Sequence, residues 1–151
     1  MSQTKFKEII DFAINREEDA IAGYAQMVVI AKSAALKELL EDLKKEEEKH
    51  KELLQGISRD KIESLETEAD VADLKISDYL VEEPMKPEMT FRELLVYAAK
   101  KEQKAVELYT DLKKTAKYEE LEKLFDFLIE QEKSHKLKVE TEYERHVYDA
   151  D

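Results

Sequence analysis

Hydrophobic residues return every three or four positions over most of the chain, the spacing that gathers them on one face of an α-helix. Phe6, Ile9, Ala13, Ala20, Tyr24, Met27 and Ala31 make a first stripe, and Leu36, Leu39, Leu43, Leu54 and Ile57 a second. Lys32 and Ser33 form a short turn between them, which predicts a helical hairpin over about residues 4–57 with Gly56 as a C-terminal cap. A third stripe, Phe91, Leu94, Ala98, Ala105, Tyr109 and Leu112, begins after Pro84 and Pro87, where Thr90 and Glu93 have the spacing of a capping box. The fourth uses Leu121, Leu124, Leu128 and Val139, so a second hairpin spans about residues 90–147.

The stretch between the hairpins, about residues 58–89, is far longer than a tight turn needs. It is long enough to run the length of a bundle, and it is predicted to hold a short helix with Tyr79 and Leu80 on the core. The second and third helices would then be parallel, as in four-helix bundles with one crossover. With 151 residues, 41% of them charged and only two Gly and two Pro, the sequence fits one all-α domain over residues 1–151.

The two hairpins are copies. An offset of 85 residues lays Phe6 on Phe91, Ala13 on Ala98, Ala20 on Ala105, Tyr24 on Tyr109, Leu39 on Leu124 and Leu43 on Leu128, without a gap. A pseudo-twofold bundle is the natural assembly of such a repeat. The same offset pairs polar residues inside the stripes: Glu17 with Glu102, Glu47 with Glu132, and His50 with His135. Glu17 stands between Ala13 and Ala20, and Glu102 between Ala98 and Ala105, so both carboxylates face the core. Glu18 lies about 100° around the helix and does not, and its repeat partner is Gln103. Each Glu-x-x-His puts its two side chains on one helix face, between Leu43 and Leu54 in the first copy.

Height along the bundle agrees. Glu17 and Glu47 each lie 15 residues from a turn at residue 32, and Glu102 and Glu132 each lie 15 from residue 117. A rise of about 1.5 Å per residue sets all four carboxylates roughly 22 Å from their turns, level with one another. Two of the three histidines in the chain carry this pattern, which argues against chance in an acidic sequence.

Charge then decides what such a cluster can hold. The net charge of −12 opposes nucleic acids and anionic membranes, and no basic patch offsets it. The absence of cysteine excludes disulfides, thiolate metal sites, iron–sulfur clusters and thiol catalysis, so any metal must bind through oxygen or imidazole. Four carboxylates in an apolar interior repel one another, and two divalent cations would neutralise them, each with one imidazole nitrogen as a further ligand. An oxygen-rich site with one His per ion suits two iron ions first, with manganese or zinc as alternatives, and redox chemistry with O2 or peroxide. The N-terminus is charged and amphipathic, and no run of 18 apolar residues occurs, which predicts a cytoplasmic protein.

Other residues divide between roles. Ala13, Ala20, Ala98 and Ala105 leave room for metals and a small molecule, or only let helices pack closely. Tyr24 and Tyr109 stand two turns beyond their Glu, where a phenol can bond a ligand carboxylate or simply fill the core. His146 has Tyr143 where a Glu would be needed and reads as a surface residue; Glu38, Glu41, Asp42, Glu119, Glu120 and Glu122 read as solvated charge. Gly23, costly in a helix interior, suggests close backbone packing.

The combination of E-x-x-A-x-x-x-Y at 17–24 and 102–109 with E-x-x-H at 47–50 and 132–135 resembles the rubrerythrin branch of the ferritin-like di-iron carboxylate proteins, over nearly the whole chain. The resemblance implies a ferritin-like four-helix bundle. Glu17, Glu47, His50, Glu102, Glu132 and His135 would be metal ligands, with Glu47 and Glu132 bridging the ions, and Tyr24 and Tyr109 would bond the ligands. It also implies reduction of peroxide or O2 or oxidation of Fe2+, and a homodimer. Two departures qualify it. Rubrerythrins typically carry a rubredoxin domain whose iron is held by cysteines, which this chain lacks, so electrons would come from a separate donor protein or from Fe2+. They also tend to have an extra carboxylate three residues after the third-helix Glu, where this chain has Ala105, which brings it nearer the symmetric sites of bacterioferritin-like proteins. Iron binding or storage without turnover, and a structural metal-binding bundle, are the alternative functions.

Overall fold

The computed structural model describes residues 2–61, 85–116 and 119–149. They form four helices, α1 (Ser2–Ile30), α2 (Ala34–Lys61), α3 (Phe91–Thr115) and α4 (Glu119–Asp149). Tyr79, Leu80 and the predicted crossover helix lie outside the described residues, as does the side chain of His146.

Each helix buries a seam that steps alternately by four and three residues. In α2 it is Leu36, Leu40, Leu43, Glu47, His50 and Leu54; in α4, Leu121, Phe125, Leu128, Glu132, His135 and Val139. In α1 it is Ala13, Glu17, Ala20, Tyr24, Met27 and Ala31, and in α3 Ala98, Glu102, Ala105, Tyr109 and Leu112. A mean step of 3.5 residues keeps such a seam against its neighbours along a whole bundle. The seam corrects one detail of the sequence reading: Leu40 is fully buried and Leu39 only packs against its edge.

Local signals set the helix ends. The N–H of Leu36 donates to Ser33 Oγ at 3.0 Å, so Ser33 caps α2 directly after the turn. Thr90 and Glu93 form the expected capping box: the Glu93 N–H donates to Thr90 Oγ1 at 3.2 Å and the Thr90 N–H to Glu93 Oε1 at 3.0 Å. Gly56 does not cap. Helix α2 continues to Lys61, and no described glycine has positive φ. Ile57, partly buried against the core, gives the chain reason to continue the helix past it.

Pairing across the bundle fixes helix directions. Tyr24 of α1 bonds Glu102 of α3 while Tyr109 of α3 bonds Glu17 of α1, so these helices are antiparallel. Because α1 and α2 are joined by a three-residue turn, α2 runs parallel to α3, as the long connection predicted.

The hydrophobic core is split. One apolar cluster holds Ile9, Ile10, Leu54, Tyr109, Leu121 and Phe125 among others; a second holds Tyr24, Met27, Leu36, Leu40, Leu94 and Val139. The 85-residue offset exchanges members of the two, Leu36 for Leu121 and Tyr24 for Tyr109. The pseudo-twofold axis therefore crosses the bundle between them. The polar seam residues lie in that layer.

Candidate metal centre

All six polar residues predicted from the repeat meet in this layer. Glu17, Glu47, Glu102, Glu132 and His135 have 0% exposure and His50 has 4%. Each helix of the first and third position delivers one carboxylate, and each of the second and fourth delivers a carboxylate and an imidazole one turn apart. The two imidazole rings stack, with centroids 5.6 Å apart and planes 7° from parallel.

The donor atoms converge. His50 Nδ1 lies 3.0 Å from Glu132 Oε1, 3.2 Å from Glu47 Oε1 and 3.6 Å from Glu17 Oε2. His135 Nδ1 lies 3.3 Å from Glu47 Oε1, 3.6 Å from Glu102 Oε2 and 3.9 Å from Glu132 Oε1. Both imidazoles thus approach the same two oxygens. Two overlapping sets of four result, Glu17, Glu47, His50 and Glu132 on one side and Glu47, Glu102, Glu132 and His135 on the other, and Glu47, His50 and His135 form a third set between them, each with donor atoms within 4.8 Å of one another. Glu47 and Glu132 belong to both sets of four.

These residues fit two divalent ions. Ions bound at about 2.1 Å in octahedral fashion hold adjacent donors about 3 Å apart, close to the spacings here. Glu17 Oε2, Glu47 Oε1, His50 Nδ1, Glu102 Oε2, both oxygens of Glu132 and His135 Nδ1 are buried without a hydrogen-bond partner. Leaving a buried polar atom unbonded costs about 1–3 kcal/mol, so a layer with so many of them could hold cations.

The opposite edges of the carboxylates are held by protein. The Tyr109 hydroxyl donates to Glu17 Oε1 at 2.7 Å, and the Tyr24 hydroxyl donates to Glu102 Oε1. Each tyrosine serves the other hairpin's glutamate, not its own. Burial, reinforced by Glu102 for Tyr24 and by Glu17 for Tyr109, pushes both phenols well above their usual pKa, so both remain donors.

Three participants were not anticipated. Arg16 is buried, and its Nη1 lies 2.7 Å from Glu47 Oε2, 2.9 Å from Glu17 Oε1 and 3.3 Å from Glu132 Oε2. Its repeat partner Lys101, also buried, turns away to Asp19 at 2.9 Å and sits over the Tyr97 ring at 5.5 Å. Lys101 crosses Gly23 on the way: a Cβ there would lie 2.7 Å from Lys101 Cε, so the close neighbour of this glycine is a side chain and not the backbone the sequence suggested. Glu46 holds His135 Nε2 and lies 3.7 Å from Lys138 Nζ. A sequence signal for Arg16 existed, since it stands three residues after Ala13 and four before Ala20.

Electrostatics follow from this packing. Burial, then Glu47, raises the Glu17 carboxyl; burial, then Glu102 and Glu47, raises Glu132 well above the carboxylate range. For Glu47 burial acts upward, but Arg16 followed by His135 and His50 overcomes it and holds the carboxyl well below. Burial opposes charge on both imidazoles and is outweighed by Glu17 and Glu47 for His50, raised to about 9, and by Glu102 and Glu47 for His135, raised to about 10. Burial also opposes the Arg16 charge, but Glu132, Glu47 and Glu17 keep it firmly in place.

Glu38, Glu41, Asp42, Glu119, Glu120 and Glu122 are all exposed. Among the described residues no helix is long and apolar enough to cross a membrane.

No curated protein matches the sequence. A solved structure, a hypothetical protein from Pyrococcus furiosus, is 27% identical with a TM-score of 0.70, over 91% of this chain and 87% of its own. Residues 93–150 match the family model described as Rubrerythrin, a span that contains Glu102, Glu132 and His135. The described helices form an all-α bundle of the ferritin-like kind, and its second hairpin carries the rubrerythrin match.

Proposed function

We propose that the protein is a di-iron carboxylate oxidoreductase that reduces peroxide or O2, or oxidises Fe2+. The observation that carries this reading is the convergence of unpartnered carboxylate and imidazole atoms from four helices into two sets sharing Glu47 and Glu132. Glu17 and His50 would hold one ion, Glu102 and His135 the other, and Glu47 and Glu132 both. Two bound iron ions would supply the two electrons that convert peroxide, with two protons, into two waters.

The chain's own groups orient this site. Tyr109 and Tyr24 fix one oxygen of Glu17 and Glu102, which leaves the other oxygen of each aimed into the layer. The apolar clusters on either side exclude bulk water and keep the carboxylates from turning to solvent. Ala105 is fully buried beside Glu102 and offers no further carboxylate, which favours a symmetric pair of ions and Fe2+ oxidation as the second reading. Electrons would arrive from a separate protein or from Fe2+, and a cytoplasmic homodimer is the assembly we expect.

Stopped-flow mixing of peroxide with protein loaded anaerobically with two Fe2+ per chain tests the proposal. The expected result is an absorbance change much faster than that of Fe2+ in buffer. Protein that loads two irons and reacts no faster than free Fe2+ rules the oxidoreductase out.

A further inference from the structure

The repeat makes the six candidate ligands twofold-symmetric, but their surroundings are not. Arg16 places a guanidinium against Glu17 and against one oxygen each of Glu47 and Glu132, on the Glu17–His50 side. The equivalent residue Lys101 is committed to Asp19 and brings no charge to the Glu102–His135 side. A second difference has the same sign. Glu46 holds the outer nitrogen of His135, whereas the offset of 85 puts the neutral Gln131 in the matching position for His50, whose ring instead meets Phe127 edge-on at 6.4 Å.

We propose that Arg16 makes the two halves load in order, a divalent metal binding first on the Glu102–His135 side and second on the Glu17–His50 side. This rests on reading the layer as a metal site. The first ion can use Oε1 of Glu47 and Glu132 while Arg16 keeps Oε2 of each. The second ion would take Glu17 Oε2 while the guanidinium holds Oε1 of the same carboxylate, so it would lie beside a positive charge that the Glu102–His135 side lacks. At an effective dielectric of about 20, a unit charge about 5 Å from one divalent ion and about 8 Å from the other weakens the nearer one's binding by roughly fiftyfold relative to the farther one. An anion behind His135 strengthens that imidazole as a ligand, widening the gap.

Arg16 is thus a positioning residue that sets the order of loading. Calorimetric and optical titration of the chelated protein with Co2+ alone, without oxidant, tests it. The wild type should bind two ions, the first at least tenfold tighter. Arg16→Gln should tighten the second step at least tenfold more than the first, and Arg16→Lys should keep the order. Glu102→Gln should remove the tight step and Glu17→Gln the weak one. Two ions of equal affinity, or an unchanged ratio in Arg16→Gln, overturns the inference and leaves the metal site standing; no Co2+ binding overturns both. Should Arg16→Gln fail to fold, the Glu102→Gln and Glu17→Gln pair decides, and loss of the tight step in Glu17→Gln sinks the proposal.

Discussion

Loading this site with metal should expel protons, and the structure gives the number. His50 and His135 hold their protons with pKa values of about 9 and about 10 because each Nδ1 faces buried carboxylates. A metal ion needs that nitrogen deprotonated. At pH 7 both imidazoles are protonated almost completely, so two ions must displace at least two protons, and Glu132, raised well above its usual range, adds to the total. Removing the two imidazole protons at pH 7 costs about 3 and about 4 kcal/mol.

The sign is fixed by that cost. A group protonated in the free protein and deprotonated in the complex makes affinity rise with pH, here by about tenfold per ion per pH unit from 7 to 8. The rise should flatten as the pH passes about 9 and then about 10. Calorimetric titration of chelated protein with Mn2+ at pH 7, repeated in buffers of different ionisation enthalpy, reports proton release as the slope of apparent heat against buffer heat. A slope well below two protons per two ions would refute this account of the imidazoles.

Two more outcomes follow from the same geometry. In chelated protein the raised His50 and His135 contribute stability that is complete below their unfolded pKa of about 6.5. It is lost as pH rises through about 9 and about 10, so the Tm should fall between pH 6.5 and 10, while metal-loaded protein should not show that fall. The tyrosines should differ in weight: Arg16 also bonds Glu17 Oε1, the acceptor of Tyr109, so Tyr109→Phe should cost about 1 kcal/mol in urea denaturation. Tyr24→Phe should cost more, about 2 kcal/mol, because Arg16 does not reach Glu102 Oε1 to replace the bond, and equal costs would count against the asymmetry.

Much of the site was legible because its residues sit on a periodic seam. Glu47, His50, Glu132 and His135 keep the same register as the leucines around them, so periodicity alone turned them inward. The capping box at Thr90 was readable for a different reason, since both of its hydrogen bonds join residues three apart. Arg16 was harder to see: it lies on the edge of its stripe, in a chain with 25 basic residues that mostly belong to the surface. Glu46 is one of three consecutive glutamates, and its contacts across the bundle with His135 and Lys138 distinguish it from exposed Glu48. Such tertiary contacts leave no periodic trace. Gly56 was misread because a helix end near a glycine is a tendency, and the packing of buried Leu54 and partly buried Ile57 on the core overrules it.

The polar layer has an energetic consequence for the whole fold. It interrupts the core, so leucines in place of the glutamates and histidines would bury more apolar surface and leave no atom unpaired; replacing buried ionic groups in this way often stabilises a protein by about 1–4 kcal/mol. Arg16 offsets one carboxylate, and protons on His50, His135 and Glu132 offset others, but these charges are then held together in a layer shut off from water. Under the proposed function, ions supply what the protein does not. Each ion at 100 times its dissociation constant adds about 2.7 kcal/mol to stability by mass action, comparable to what the layer forfeits. Folding and loading would then be linked, and the same carboxylates and imidazoles that make this layer a poor core would be what favours cations there.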